Sequence, residues 1–183
     1  MKLKTKSDDQ LKQVKAFICD MDGVIYHGNK LLPGAAEFVA WLKASNKKFI
    51  FLTNCAVRSQ AEIHQRLAKL GVDVEQQKIY TSGLAVAEFL QKQKPNGSAY
   101  VIGTESLREA IRQVGYKIDD QAPDYVVVSD SSDYNYEAVC KAVYFVQRGA
   151  KLVGTNADIT GPTTRGIMPG TGALVAPIEM ATG

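Results

Sequence analysis

The chain has 183 residues, with 22 Lys plus Arg against 19 Asp plus Glu, a formal net charge of +3. A hydrophobic fraction of 45% and a charged fraction of 22% suit an ordinary soluble protein of one large or two small domains, and argue against a disordered tail or a polycation for nucleic acid. Cys19, Cys55 and Cys140 are odd in number, far apart and free of any C-x-x-C spacing, which argues against a disulfide framework and a thiolate zinc site.

The first fifteen residues carry five lysines interrupted by two aspartates and read as a flexible, solvated terminus, residues 1–15. They hold no apolar core of a signal peptide, and no stretch of the chain reaches transmembrane length, so a cytoplasmic protein without a membrane partner is expected. His27 and His64 are isolated and read as non-ligands.

From Ala16 to Cys19 a compact apolar run predicts a buried strand that ends at Asp20. Pro33 and Gly34 open an amphipathic helix with Phe38, Val39, Trp41 and Leu42 at helical spacing. KFIFLT, Lys48 to Thr53, predicts a second buried strand. Ser59 to Glu62 has the form of a capping box, Ile63, Leu67 and Leu70 form the stripe behind it, and Gly71 stands where a helix ends. Two strand–helix units in succession imply a parallel sheet, whose ligands gather at the carboxyl ends of its strands.

A second alternating set follows. Helices are expected over 83–91, 105–114 and 136–147, strands over 100–102, 125–128 and 151–154, and a turn at K-P-N-G, residues 94–97. A glycine- and threonine-rich loop occupies 155–172, and the last residues begin another helix. With hinges at 80–83 and 155–172, the expected division is a first core segment over 16–82, an inserted α/β unit over 83–171, and the start of a return to the core over 172–183.

The stretch FICDMDGVIY poses the chemical question. On an extended strand Asp20 and Asp22 can share one side while Met21 points away, and Gly23 lets the backbone turn just beyond them. Two carboxylates in one crevice repel, which raises one pKa unless a cation intervenes; magnesium suits such hard oxygen donors. One carboxylate can then attack while the other carries protons. A bare D-x-D-G is more often a polar strand end, but a second strand ends in Thr53-Asn54, whose hydroxyl, amide and backbone N–H groups suit a phosphate oxygen.

Together, DMDGVIY with LPGA downstream, FLTN on the next strand, and GTNAD, GPT and GIMPGTGALVAPIE near the end resemble the haloacid-dehalogenase superfamily. More narrowly they resemble its NagD-like phosphatase branch, along the chain from Phe17 to Gly183. The resemblance implies an α/β fold: a Rossmann-like parallel core, here incomplete, with an inserted α/β cap domain. It further implies Asp20 as the nucleophile that forms an aspartyl-phosphate and Asp22 as the acid, then base, of the reaction. Mg2+ would be held by the Asp20 carboxylate and the Asp22 backbone carbonyl. Thr53 would bind the phosphoryl group and Asn54 would support it; Gly23 and Cys55, next to Asp22 and Asn54 in sequence, are further candidate substrate contacts. Dehalogenases of the superfamily lack the second aspartate, so a phosphatase is implied.

Two departures stand out. Cys55 occupies the place of a second asparagine and reads as a small packing residue. The third-motif lysine in G-K-P and the later acidic G-D motif occur nowhere in these 183 residues, while Asp130 and Asp133 read as solvated loop acids. Weak or absent activity of this chain alone is therefore expected, since phosphoryl transfer depends on charge stabilisation.

The expected partner is a small phosphomonoester of nucleotide, sugar phosphate or pyridoxal phosphate type. Thr155–Asp158 and Thr160–Thr164 stand as specificity contacts or as a plain hinge, and a free edge on the first strand would suit a homo-oligomer. The competing reading is a non-catalytic phosphate-binding or regulatory module. A phospho-accepting receiver domain is disfavoured, because the second aspartate and the inserted segment have no role there.

Overall fold

The computed structural model describes residues 8–163 and 166–183; Met1–Ser7 of the terminal segment, and Thr164 of the loop, lie outside the described residues. A short helix α1 (Asp8–Gln13) leads into β1 (Ala16–Cys19), followed by an antiparallel pair, β2 (Tyr26–His27) and β3 (Lys30–Leu31). Next come α2 (Ala35–Ala44), β4 (Lys48–Thr53), α3 (Gln60–Lys69), a 3-10 turn (Gln76–Lys78) and β5 (Ile79–Thr81). Local chemistry sets the ends of α3: Ser59 and Glu62 form the full capping box, and Gly71 follows in the left-handed region at φ 83°.

β1, β4 and β5 form a three-stranded parallel sheet in that order, with Cys19 opposite Phe51 and Phe51 opposite Ile79. One face is covered. Cys19, Phe51 and Ile79 pack there with Val39 of α2 and with Ile63 and Leu67 of α3. The other face carries Ile18, 75% exposed, and Leu52, 44% exposed.

The chain continues through α4 (Ser82–Gln93), β6 (Ser98–Ile102), α5 (Glu105–Gln113), β7 (Lys117–Ile118), β8 (Tyr125–Val128), α6 (Tyr136–Gln147) and β9 (Lys151–Gly154). It ends with a hairpin, β10 (Thr160–Thr163) and β11 (Gly166–Pro169), and with α7 (Thr171–Thr182). β7, β6, β8 and β9 make a four-stranded parallel sheet in that order. Both of its faces are covered. Leu90 of α4 and Leu107 and Ile111 of α5 meet Ala99 and Val127 on one side, while Ala142 and Phe145 of α6 and Val175 and Ile178 of α7 meet Val126 and Val128 on the other. Every residue of β8 is accordingly buried.

Several expectations are corrected. Residues 8–13 of the supposedly flexible terminus are helical. Residues 80–83, expected as a hinge turn, are the end of β5 and the first turn of α4, with Thr81 capping that helix through Leu84 N–H at 3.2 Å. A three-residue strand has too little pattern to register in sequence; its pairing with β4 makes it. The loop 155–172 contains the β10–β11 hairpin, whose exposed Gly, Pro and Thr residues give no alternation to read. The helix expected at the end of the chain is present as α7, and it buries Val175 and Ile178 against the second sheet. Ile18 belongs to an apolar run expected to be buried, yet it faces solvent.

Leu67→Ala should lower stability by about 2–5 kcal/mol, because Leu67 is fully buried and the gap left beside Phe51 and Ile63 collapses only in part. Ile18→Thr should change it by less than about 0.5 kcal/mol, since it removes exposed surface and keeps a β-branched residue in the strand. Urea titration of both variants reads the contrast.

Candidate active site

Parallel pairing carries the ends of β1 and β4 to the same edge of the first sheet, so Asp20 and Asp22 come to lie beside Thr53, Asn54 and Cys55. Asp20 and Asp22 are exposed, not sealed in the core, while Met21 between them is fully buried. This is the alternation expected of an extended segment. The turn that follows is tight. The Met21 carbonyl accepts from the N–H groups of Val24, Ile25 and Tyr26, Gly23 N–H donates to the Tyr26 carbonyl at 2.8 Å, and Gly23 sits at φ 77°. A side chain at that φ would be strained, which accounts for glycine after the second aspartate.

The Asp20 carboxylate accepts from Met21 N–H at 2.7 Å, which fixes its orientation. The Thr53 side chain is buried, and its hydroxyl accepts from Cys55 N–H at 3.1 Å. A hydroxyl that accepts still has its O–H to donate, so Thr53 can offer a hydrogen bond at the strand end. Asn54, expected to support the phosphoryl group, is held by three other residues. Its side-chain amide donates to the Asp158 carboxylate at 2.7 Å, and its carbonyl accepts from the Ser82 hydroxyl at 2.7 Å and the Asn156 amide at 3.3 Å. Cys55 is half-buried, as a packing residue would be.

The pKa of Asp22 is raised. Crowding of its carboxyl away from water is the main cause, opposed by the nearby Arg66 guanidinium, reinforced by the negative charge of Asp20, and opposed again by Arg58 and His27. Arg66 itself lies 4.3 Å over the ring of buried Tyr26 and donates to the Gly28 carbonyl. The Tyr26 hydroxyl is pushed up to about 12, first by burial and then by Asp22. Neither arginine stands out in the sequence, because α3 brings Arg66 to the aspartates only through the tertiary fold.

Asp130 and Asp133, expected as solvated loop acids, have partners: Thr171 donates to Asp130 at 2.7 Å, and Arg108 pairs with Asp133 at 2.9 Å. Among the described residues no three His, Cys, Asp or Glu side chains are grouped to hold a metal. Asp20 and Asp22 nonetheless fit magnesium, which takes one or two carboxylates and fills its remaining positions with water or phosphate oxygens. A cavity of about 380 Å3 opens next to this edge, between the loop carrying Arg58 and Ser59 and the start of α5 at Glu105 and Ser106. Its lining does not include the aspartates. Ser106 donates to Glu62 at 2.9 Å and Thr104 to the Val57 carbonyl at 3.1 Å, so α5 is tied to α3 and to the loop after β4 beside this cavity.

The Asp22 carboxyl should titrate above the ordinary aspartate range, because partial desolvation penalises its charged form. Arg66→Met should move the midpoint further up, and Arg58→Met should move it up by less, since each substitution removes a positive charge that favours the carboxylate. Carbon-13 NMR of the carboxyl resonances across a pH series measures all three midpoints.

Comparison with known proteins agrees with this geometry. A family model described as haloacid dehalogenase-like hydrolase matches residues 17–117. The chain is 36% identical over 168 residues to a dihydroxyacetone phosphatase of Corynebacterium glutamicum, covering 92% of this chain and 61% of that protein. It is 39% identical over 170 residues to the ribonucleotide monophosphatase NagD of Escherichia coli, covering 93% and 66%. The crystal structure of a 4-nitrophenylphosphatase from Thermotoga maritima superposes with a TM-score of 0.90 at 35% identity, covering 94% of this chain and 66% of that one. The chain thus spans about two thirds of the length of these relatives. The matched sequence and the shared fold agree with the strand-end aspartates, and the chain belongs to the haloacid dehalogenase-like hydrolases, within the NagD-like branch.

Proposed function

We propose that this chain carries the catalytic carboxylates of a magnesium-dependent phosphatase acting on small phosphomonoesters. The observation that supports it most is the placement of Asp20 and Asp22, open to solvent after β1, beside the hydroxyl of Thr53 at the end of the adjacent parallel strand β4. In this reading Asp20, oriented by Met21 N–H, attacks the phosphorus and forms an aspartyl-phosphate, and Asp22 protonates the leaving oxygen. A raised pKa suits Asp22 to that work, because an acid poised nearer neutrality holds its proton more often at working pH. Asp22 then takes a proton from the water that hydrolyses the intermediate. Thr53 donates to the transferred phosphoryl group, and the turn at Gly23 and the side chain of Cys55 border it. Magnesium, held by the Asp20 carboxylate and the Asp22 carbonyl, would supply the positive charge that lets two carboxylates and a phosphate share one site.

Residues 16–82 serve in this reading as the first part of the catalytic core and 83–171 as a cap above it. A cap of that size favours small substrates over phosphoproteins. The relatives are named a dihydroxyacetone phosphatase, a ribonucleotide monophosphatase and an acid sugar phosphatase, and small phosphomonoesters of these kinds are the range proposed for this chain. These 183 residues contain neither the G-K-P lysine nor the acidic G-D motif of the family, so they alone should turn over slowly.

Hydrolysis of 4-nitrophenyl phosphate with magnesium, together with capture of beryllofluoride, tests the proposal. Slow turnover and a stable beryllofluoride adduct are expected. Asp20→Asn should remove both, whereas Asp22→Asn should lower turnover by about 10²–10⁴-fold and keep the adduct. Undiminished turnover by Asp20→Asn would refute the assignment of the nucleophile. Fast turnover by the parent chain would refute the view that more charge stabilisation is needed.

A further inference from the structure

The chain crosses between the sheets where β5 runs into α4, and the loop after β9 reaches back to the same edge; both segments are fastened to Asn54. Ser82, the first residue of α4, donates to the Asn54 carbonyl at 2.7 Å, and Asn156 in the loop after β9 donates to the same oxygen at 3.3 Å. The side-chain amide of Asn54 donates to Asp158 at 2.7 Å. No other residue of the first sheet's carboxyl edge is bound to both segments among the hydrogen bonds of the described residues. Asn54 is also the immediate neighbour of Thr53, the phosphoryl-binding residue of the reading above.

The backbone around Asp158 is held tightly. Its N–H donates to the Asn156 side chain at 3.0 Å, and its carbonyl accepts from Gly172 N–H at 2.9 Å. A Cβ at Gly170 would fall 2.4 Å from that carbonyl oxygen, and a Cβ at Gly172 would fall 2.5 Å from the Ala157 oxygen. This loop is therefore pressed against the start of α7, and its carboxylate is presented to Asn54 from a fixed base. From there the bonds continue into the second sheet. Asn156 also donates to the Thr171 hydroxyl at 3.3 Å, and Thr171 donates at 2.7 Å to Asp130, just past the end of β8. A continuous path thus joins the ends of β4 and β8.

We infer that Asn54 and Asp158 form the pivot between the two sheets, and that Asp158 is a positioning residue coupling ligand occupancy at Thr53 to the start of α4 and the loop after β9. A phosphoryl oxygen at Thr53 competes for, or realigns, the same Asn54 amide that Asp158 holds. Either change alters the bond on which the loop after β9 rests. The coupling to a phosphoryl ligand rests on the function proposed above; the pivot itself does not.

Hydrogen exchange read by mass spectrometry tests both parts on the chain as it stands. Without ligand, Asp158→Ala should speed exchange of the peptides spanning 54–59 and 155–160 by about tenfold, the loss of one charge-assisted hydrogen bond. Asp158→Asn, which keeps an acceptor oxygen, should return most of the protection. Asn156→Ala should loosen the same peptides by a second route, so the result does not depend on one variant folding. Exchange within about twofold of the parent chain in both Asp158→Ala and Asn156→Ala overturns the pivot. With magnesium and beryllofluoride, protection in the parent chain should spread from 53–59 to 82–84 and 155–160, and in Asp158→Ala it should stay at 53–59. Spread retained in Asp158→Ala overturns the coupling. If the parent chain gains no protection at all with beryllofluoride, the phosphoryl reading and the coupling built on it both fail, while the ligand-free comparison still decides the pivot.

Discussion

The parallel pairing of β1 with β4 decides where everything else in the first half of the molecule falls. Because both strands run the same way, the polar residues that follow each apolar run are delivered to one edge. An antiparallel pairing would have sent Asp20 and Thr53 to opposite ends of the sheet. The register matters as much as the direction. With Cys19 opposite Phe51, the aspartates emerge as β4 is ending, and the Met21 carbonyl, gripped by three N–H groups, stops the chain from running on. The site is thus a by-product of strand geometry: two carboxylates stay at the water's edge because the residue between them is anchored in the core.

That placement also settles the electrostatic character of the pair. Asp20 and Asp22 are one residue apart but not equivalent. Asp20 is fastened by its own neighbour's N–H, while Asp22 sits by a buried tyrosine whose ring carries an arginine. The environment pushes Asp22 toward the protonated form, and Arg66 and Arg58 keep that push from running to excess. Two carboxylates of the same type can in this way take different parts in one reaction without any difference in covalent chemistry.

Much of this was legible in the sequence, for identifiable reasons. Ala16–Cys19, Lys48–Thr53, Tyr125–Val128 and Tyr136–Gln147 follow from apolar runs and helical spacing, and the capping box at Ser59 and Glu62 fixed its helix start to the residue. Asp20, Asp22 and Thr53 could be found because they stand at the ends of such runs. What escaped is what depends on distant neighbours. Ile79–Thr81 is a strand only because β4 lies alongside, and the hairpin at Thr160–Pro169 has no apolar alternation to announce it. The Asn54–Asp158 bond spans 104 residues, and Arg66 reaches Asp22 only across a folded α3. An apolar run also says that a segment is in a sheet, not that both faces of the sheet are covered, which is why the exposure of Ile18 could not be read.

The unequal covering of the two sheets has a consequence for how the molecule comes apart. The second sheet is enclosed between two pairs of helices, whereas the first rests on one apolar cluster and turns Ile18 and Leu52 toward water. Opening of the first costs less buried surface, so its amides belong to a less stable cooperative unit than those of β6 and β8. On heating, these residues would lose the half that bears the aspartates while the other half still stood. The arrangement of the two aspartates beside Thr53 would then be lost at a lower temperature than the bulk of the secondary structure.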